Sequence, residues 1–315
     1  MGKVAVVAIG GNSLIKDAKH QSVEDQYRAA GETCEHIAGM IRAGWDVAVT
    51  HGNGPQVGFI LRRSDLSRHE LHEVPLDACG ADTQGAIGYA LQQNLYNHFR
   101  RMGIAKSAVT VVTQVEVAAD DPALTNPSKP IGSYMDEATA KRRRDEEGWA
   151  IMEDAGRGWR RVVPSPLPRR IVEQGAVLDL IRAGFTVITV GGGGIPVVAD
   201  GDGMLRGIAA VIDKDYASSL LANVIGADLF VISTAVEKVA INFGKPNQEW
   251  LSHMTLSQAK QYLGEGVHFA KGSMGPKIQA IVWYLERGGK EALITNPENI
   301  ERALEGKTGT RIAPD

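Results

Sequence analysis

Apolar runs rich in valine and isoleucine recur at residues 4–9, 46–50, 108–112, 186–190, 229–233 and 292–295. Each is short and continuously apolar rather than alternating, the pattern of a strand covered on both faces of a parallel sheet. Between these runs the apolar positions spread to helical spacing, which predicts helices over 26–43, 80–102, 171–183, 214–225, 256–262 and 275–286. Alternation of this kind predicts a doubly wound α/β fold whose ligands sit at the carboxyl ends of the strands. Residues 119–168 break the rhythm. They are rich in proline, charge and tryptophan, with only short strands predicted near 131–135 and 157–163, so an insertion serving as a lid or binding element is expected.

Three of the predicted strands run into glycine. The turns are Gly10-Gly11-Asn12-Ser13, His51-Gly52-Asn53-Gly54-Pro55-Gln56-Val57-Gly58 and Gly191-Gly192-Gly193-Gly194. Without a Cβ in the way, backbone N–H groups can approach an anion closely. One such turn is commonplace; three in one chain point to phosphate. The spacing excludes the familiar systems. A dinucleotide fingerprint needs G-x-G-x-x-G, whereas the second turn has glycines at 52, 54 and 58, the last one residue late. Gly306-Lys307-Thr308 supplies the tail of a Walker loop, but Glu301 stands where its first glycine belongs. Cys34, Cys79, His51, His69 and His72 lack the spacing of a zinc ligand set, and no G-x-S-x-G elbow is present.

Composition narrows the classes further. At 315 residues the chain suits two lobes, and its formal net charge of −3 gives no basic field for nucleic acid or an anionic membrane. No apolar stretch reaches the roughly 20 residues of a membrane span. Two cysteines make no disulfide framework, which fits a reducing cytoplasm. The runs Arg142-Arg143-Arg144 and Arg160-Arg161 are offset by Asp145, Glu146 and Glu147, and are expected on solvated faces.

What the glycine turns lack is positive charge, and three lysines offer it. Lys129 lies in the insertion, followed by Pro130-Ile131-Gly132. Lys214 opens a helix that Asp213 or Asp215 can cap. Lys277 follows Gly272-Ser273-Met274-Gly275-Pro276, with the proline suited to a first helical turn. A lysine at a helix N-terminus adds its charge to the dipole and the free N–H groups. Singly, each has a plain alternative: an exposed loop lysine, a simple cap, a loose glycine turn. Their coincidence is what those alternatives explain badly.

Taken together these blocks resemble the carbamate kinases of the amino acid kinase superfamily. The matching segments are Gly10 to Leu14, His51 to Gly58, Thr113-Gln114-Val115, Lys129 to Gly132, Trp159-Arg160-Arg161-Val162-Val163-Pro164-Ser165-Pro166, Gly191 to Pro196, Ile212 to Asp215 and Gly272 to Lys277, in family order along nearly the whole chain. The resemblance implies a three-layer α/β/α sandwich around a mainly parallel open sheet of about eight strands. It implies an N-terminal lobe over 1–225 for carbamate, carbamoyl phosphate and dimerisation, a protruding lid subdomain over 119–168, and a nucleotide lobe over 226–315. The implied reaction is ATP + carbamate ⇌ ADP + carbamoyl phosphate with Mg2+, in a cytoplasmic homodimer, run toward ATP in arginine or ureide catabolism. Runner-up readings are a related kinase of another small carboxylate and a non-catalytic nucleotide or carbamoyl phosphate sensor.

Carried over by position, the resemblance gives Lys129, Lys214, Asp215 and Lys277 the chemistry, and Gly10, Gly11, Asn12, Gly52 and Asn53 the transferring group. The nucleotide falls to Asp213, Thr234, Ala235, Val236, Val239, Asn242, Phe243, Gly244, Met274 and Gly275. No protein ligand is assigned to the metal. Many superfamily kinases carry a lysine just before the first glycine pair; here Val7-Ala8-Ile9 is apolar, so a lid lysine would supply that charge. Ser133-Tyr134 replace the family's usual Pro-Phe, a less rigid lid hinge. Ala240 replaces a larger aromatic residue, implying looser adenine packing.

Overall fold

The computed structural model describes every residue except Met1, Asn12, Ser13, Ala18, Ala155 and Lys271. Its centre is an eight-stranded sheet in the order His253–Thr255, Thr310–Ala313, Ala292–Thr295, Leu229–Ser233, Lys3–Ile9, Trp45–His51, Thr186–Ile188 and Ala108–Thr110. Neighbours run parallel throughout, except for the antiparallel pair Ala292–Thr295 and Thr310–Ala313.

The continuous apolar runs have the expected meaning. Along Lys3–Ile9, the side chains of Val4, Val6 and Ala8 enter one core, and those of Ala5, Val7 and Ile9 enter another. The first core is closed by helices Gln174–Arg182, Lys214–Val224, Leu256–Glu265 and Met274–Glu286. The second is closed by Val23–Arg42, Leu76–Met102 and Ile300–Leu304. Helix, sheet and helix therefore form three layers, and the helices are ordered by what they cover. On Val23–Arg42, for example, Cys34, Ile37, Ala38 and Ile41 recur at three and four residue intervals and are all buried. Ser22 and Asp25 start that helix with a reciprocal capping box.

Several boundaries differ from the sequence expectation. The helix expected over 171–183 begins at Gln174, because Pro168–Ile171 is a strand paired with Gln114–Val117. Those two join Ile195–Ala199 and Leu205–Gly207 in a four-stranded sheet that short apolar runs did not reveal. The strands expected over 186–190 and 108–112 stop at Ile188 and Thr110. Val190 has left-handed φ of 53°, which ends the first of them and starts the glycine turn.

The insertion holds a three-stranded antiparallel sheet of Lys129–Met135, Trp159–Val163 and Ile151–Glu153. It also holds a helix, Glu137–Glu147, that carries the arginine run; its polarity on all sides hid it from an apolar periodicity. The run is not simply solvated. Arg143 is largely buried, paired with Asp65 and Glu147. The ring centroid of Tyr134, on the Lys129–Met135 strand, lies 5.3 and 5.2 Å from the guanidinium carbons of Arg157 and Arg160.

Candidate active site

Four adjacent strands of the central sheet end together, and their carboxyl ends build the site. Gly10 follows Lys3–Ile9 and donates its N–H to Ser233 O at 3.0 Å. Gly52 follows the next strand and donates to Ile9 O at 3.0 Å. A Cβ on Gly52 would stand 3.5 Å from Gly11 N and 3.4 Å from Lys214 Cδ, so the two glycine turns and the lysine stem meet at one point. Pro55 then opens helix Gly54–Ser67 in its first turn.

The third turn is a wedge rather than a loose loop. A Cβ on Gly192 would fall 2.1 Å from Asn53 Nδ2, and one on Gly193 would fall 2.4 Å from Ile212 O. Both residues also have positive φ, 68° and 95°. The glycines thereby let the turn sit between Asn53 on one side and the segment leading to Lys214 on the other.

Lysines 129, 214 and 277 converge on two carboxylates. Asp213 is the N-cap of helix Lys214–Val224; its Oδ1 accepts from Asp215 N at 3.0 Å and its Oδ2 from Lys129 Nζ at 2.7 Å. Asp215 is 3% exposed and accepts from Lys214 Nζ at 2.5 Å and Lys277 Nζ at 2.9 Å. Burial opposes ionisation of Asp215, but the two ammonium groups outweigh it and hold the carboxyl well below the usual carboxylate range. Burial likewise lowers the pKa of Lys214, against the pull of Asp215. Counting the five ionised groups leaves one net positive charge, which a multiply charged phosphoryl group would satisfy while lining up against the glycine N–H groups.

Sequence reasoning missed Thr50, Thr83, Gln84 and Ser218 as groups that hold this frame, and gave His51 no role beyond its place in the second glycine turn. His51 is buried, and burial first, with the Lys214 charge beside it, lowers its pKa to about 4, so the ring is neutral near pH 7. Its Nδ1 lies 3.0 Å from Gly52 O. Gln84 donates from Nε2 to Gly191 O and Thr113 O, both at 3.0 Å, stapling the wedge to helix Leu76–Met102. Asn53 donates to Thr83 Oγ1 at 2.8 Å. Ser218 donates to Lys214 O and lies 2.6 Å from Thr50 Oγ1. The available signal was position: Thr83 and Gln84 fall on the buried face of a predicted helix.

The expected nucleotide residues are more dispersed. Met274 and Gly275 share the first turn of a helix with Lys277, beside Asp215. Thr234 and Ala235 line a cavity of about 320 Å3 with Lys16, Thr33 and Asn296. Val236 is half-buried in the connection to Val239–Ile241. Val239 is wholly buried, its N–H bonded to Thr310 Oγ1 at 2.8 Å, so its side chain presents no open surface. Asn242 and Gly244 form a turn with positive φ at both, and exposed Phe243 meets Trp250 edge to face at 6.3 Å. Ala240 pairs in register with Trp250, a half-exposed residue on the opposite strand. Asn12 lies outside the described residues. Among the described residues no cluster of three or more His, Cys, Asp or Glu side chains could hold a metal ion, and both site aspartates are engaged by lysines. No helix of the described residues is long and apolar enough to cross a membrane.

Comparison with known proteins finds relatives along nearly the whole chain. Residues 3–296 match the Amino acid kinase family. The carbamate kinase of Thermococcus kodakarensis is 47% identical over 98% of this chain and 99% of its own. The carbamate kinase-like protein YahI of Escherichia coli is 50% identical over 99% of each. Among solved structures, carbamate kinase from Giardia lamblia bound to AMP-PNP superposes with a TM-score of 0.92 at 41% identity, covering 100% of this chain and 99% of that one. The chain belongs to the amino acid kinase family, among the carbamate kinases.

Proposed function

We propose that this protein transfers a phosphoryl group reversibly between ADP or ATP and carbamoyl phosphate or carbamate. One observation carries the reading beyond family likeness: a buried, ionised Asp215 holds Lys214 and Lys277, while Asp213 holds Lys129 beside them, next to the Gly11 and Gly52 backbone. Phosphoryl transfer asks for positioning and neutralisation of charge rather than covalent chemistry. Carbamate's oxygen is already ionised at neutral pH, so no general base is required. Gly10, Gly11, Asn12, Gly52 and Asn53 grip the small transferring group. Lys214 and Lys277 neutralise the equatorial oxygens, and Lys129 exchanges its bond to Asp213 for one to the phosphoryl group. Asp215 keeps the first two lysines extended because its own proton is lost at any working pH.

The nucleotide lies in the 226–315 lobe, toward Met274 and Gly275, with the 234–244 segment beyond. Mg2+ arrives as part of the nucleotide substrate, neutralising its phosphates and keeping several waters. The 119–168 lid covers the 1–225 lobe, and two copies of the chain pair through that lobe. A cytoplasmic role in ATP formation from carbamoyl phosphate, in arginine or ureide breakdown, follows from the same reading. The direct test is coupled detection of ATP from ADP and carbamoyl phosphate. ATP formation dependent on both substrates is expected; a folded protein that binds ADP yet forms none would overturn the assignment.

A further inference from the structure

The lid carries charge that the phosphoryl site does not use. Arg143, on helix Glu137–Glu147, reaches across to helix Gly54–Ser67 of the lobe beneath, where its Nη2 donates to both oxygens of Asp65 at 2.6 and 2.8 Å. Its Nη1 donates to Glu147, which also accepts from Arg68 Nη1 at 2.8 Å. The lid contributes Arg143 and Glu147 and the lobe Asp65 and Arg68 to a single network, in which Arg62 Nη1 of the lobe also donates to Asp65 Oδ2 at 3.1 Å. The Arg143 and Asp65 side chains are only 13% and 19% exposed, so solvent screens them far less than an ordinary surface pair. A cavity of about 700 Å3, lined by Asp65, Arg143 and Glu147 themselves together with Leu61, Glu73 and Tyr134, opens between the two bodies, so the lid is not clamped along its whole length.

The partner helix is the one that leaves the Gly52–Asn53 turn. It also touches the lid strand backbone to backbone, since a Cβ on Gly58 would stand 3.6 Å from Gly132 Cα. Lys129 is three residues before Gly132 on that strand. The contact at Gly58 and the Asp65–Arg143 bond, further along the helix, are two separate points at which the lid meets this helix, and two points define an angle. We propose that Asp65 and Arg143 are positioning residues that hold the lid at the angle where Lys129 reaches the phosphoryl group, and so set the affinity for the small phosphorylated substrate. The inference rests on the functional reading above. If the latch is lost, the binding-competent lid is populated less, and apparent affinity falls by that fraction; saturating substrate still draws the lid into place.

Asp65→Asn tests this. The KM for carbamoyl phosphate should rise about tenfold, the effect of losing roughly 1.4 kcal/mol of charged hydrogen bonding, with kcat within about twofold and the KM for ADP unchanged. Asp65→Glu keeps the charge and should recover most of the loss. A merely structural role would lower thermal stability while leaving the two KM values in their original ratio, and that result would overturn the proposal. Hydrogen exchange on the substrate-free protein provides an arm independent of turnover: amides of Lys129–Met135 should exchange faster in Asp65→Asn, those of Lys3–Ile9 at the same rate. Unchanged lid exchange would overturn the latch even if the reaction proved different. If the parent protein formed no ATP, the functional reading would fall and the exchange arm would decide the latch alone.

Discussion

Asp215 is a carboxylate with two ammonium neighbours and almost no water. Its charge is the reason the two lysines stand side by side despite repelling each other, and removing either lysine takes away a donor aimed at developing negative charge. Lys214→Ala and Lys277→Ala should each lower kcat by ~10²–10³, the usual cost of one such donor. Steady-state ATP formation, with circular dichroism as the folding control, measures this. Turnover equal to the parent protein in either variant would remove that lysine from the chemistry. Both lysines were legible in the sequence because each marks a helix N-terminus beside glycine, proline or aspartate. His51 was not. The sequence places it at the head of the second glycine turn, one residue past the predicted strand, and its burial depends on Gly191, whose absent Cβ would lie 2.3 Å from His51 Nε2. A contact between turns so distant in the chain leaves no local mark.

At the scale of elements, the wedge Gly191–Gly193 shows the same division between what is written locally and what is not. Its glycines were plain in the sequence; the reason for them was not, since Asn53 is the N-cap of a distant helix and Ile212 lies in the segment leading to another. Gly192→Ala should cost roughly 1–3 kcal/mol, combining a left-handed backbone with a clash against the Asn53 amide. Gly201→Ala has open space at Cβ and no positive φ, and should change stability by less than about 0.5 kcal/mol. Urea unfolding of the pair measures the contrast, and equal midpoints would show that the wedge can relax. The helix Glu137–Glu147 escaped notice for the opposite reason. Its apolar stripe is missing, its start rests on Asp136 accepting from Thr139 N at 2.7 Å, and its anchor is the charge on Asp65 rather than a core. Hydrophobic spacing finds elements that bury long apolar faces, and so found six of the eight central strands and most of the covering helices while passing over the short strands His253–Thr255 and Thr310–Ala313 and the short helix Ile300–Leu304.

For the molecule as a whole, buried ionisable groups fix how stability depends on pH. The imidazole of His51 titrates near pH 4 when folded and near its ordinary value of 6.5 when unfolded. Between those values the unfolded chain binds a proton that the folded chain refuses, so stability falls as pH drops through that window, by up to about 3 kcal/mol. Asp215 acts lower down. Its folded pKa is depressed, so its contribution is complete above the unfolded value of 3.8 and is lost as pH falls toward the folded one. Chemical unfolding of the parent protein at pH 7, 5.5 and 4.5 should show a steady decline, and His51→Gln should flatten it. An equally steep decline in that variant would assign the acid sensitivity elsewhere.

The order of the sheet bears on how the chain is made. Of the strands in this sheet, Lys3–Ile9 leaves the ribosome before the others, and it lies near the middle, between Trp45–His51 and Leu229–Ser233. One of its edges is satisfied early; the other waits for a strand synthesised more than two hundred residues later. Throughout that interval a row of unpaired backbone groups, flanked by valine and isoleucine, stands ready to pair with any other nascent chain. Proteins of this topology gain from protection during translation, and a stop codon anywhere before Leu229 leaves a product with an open, adhesive edge at its heart.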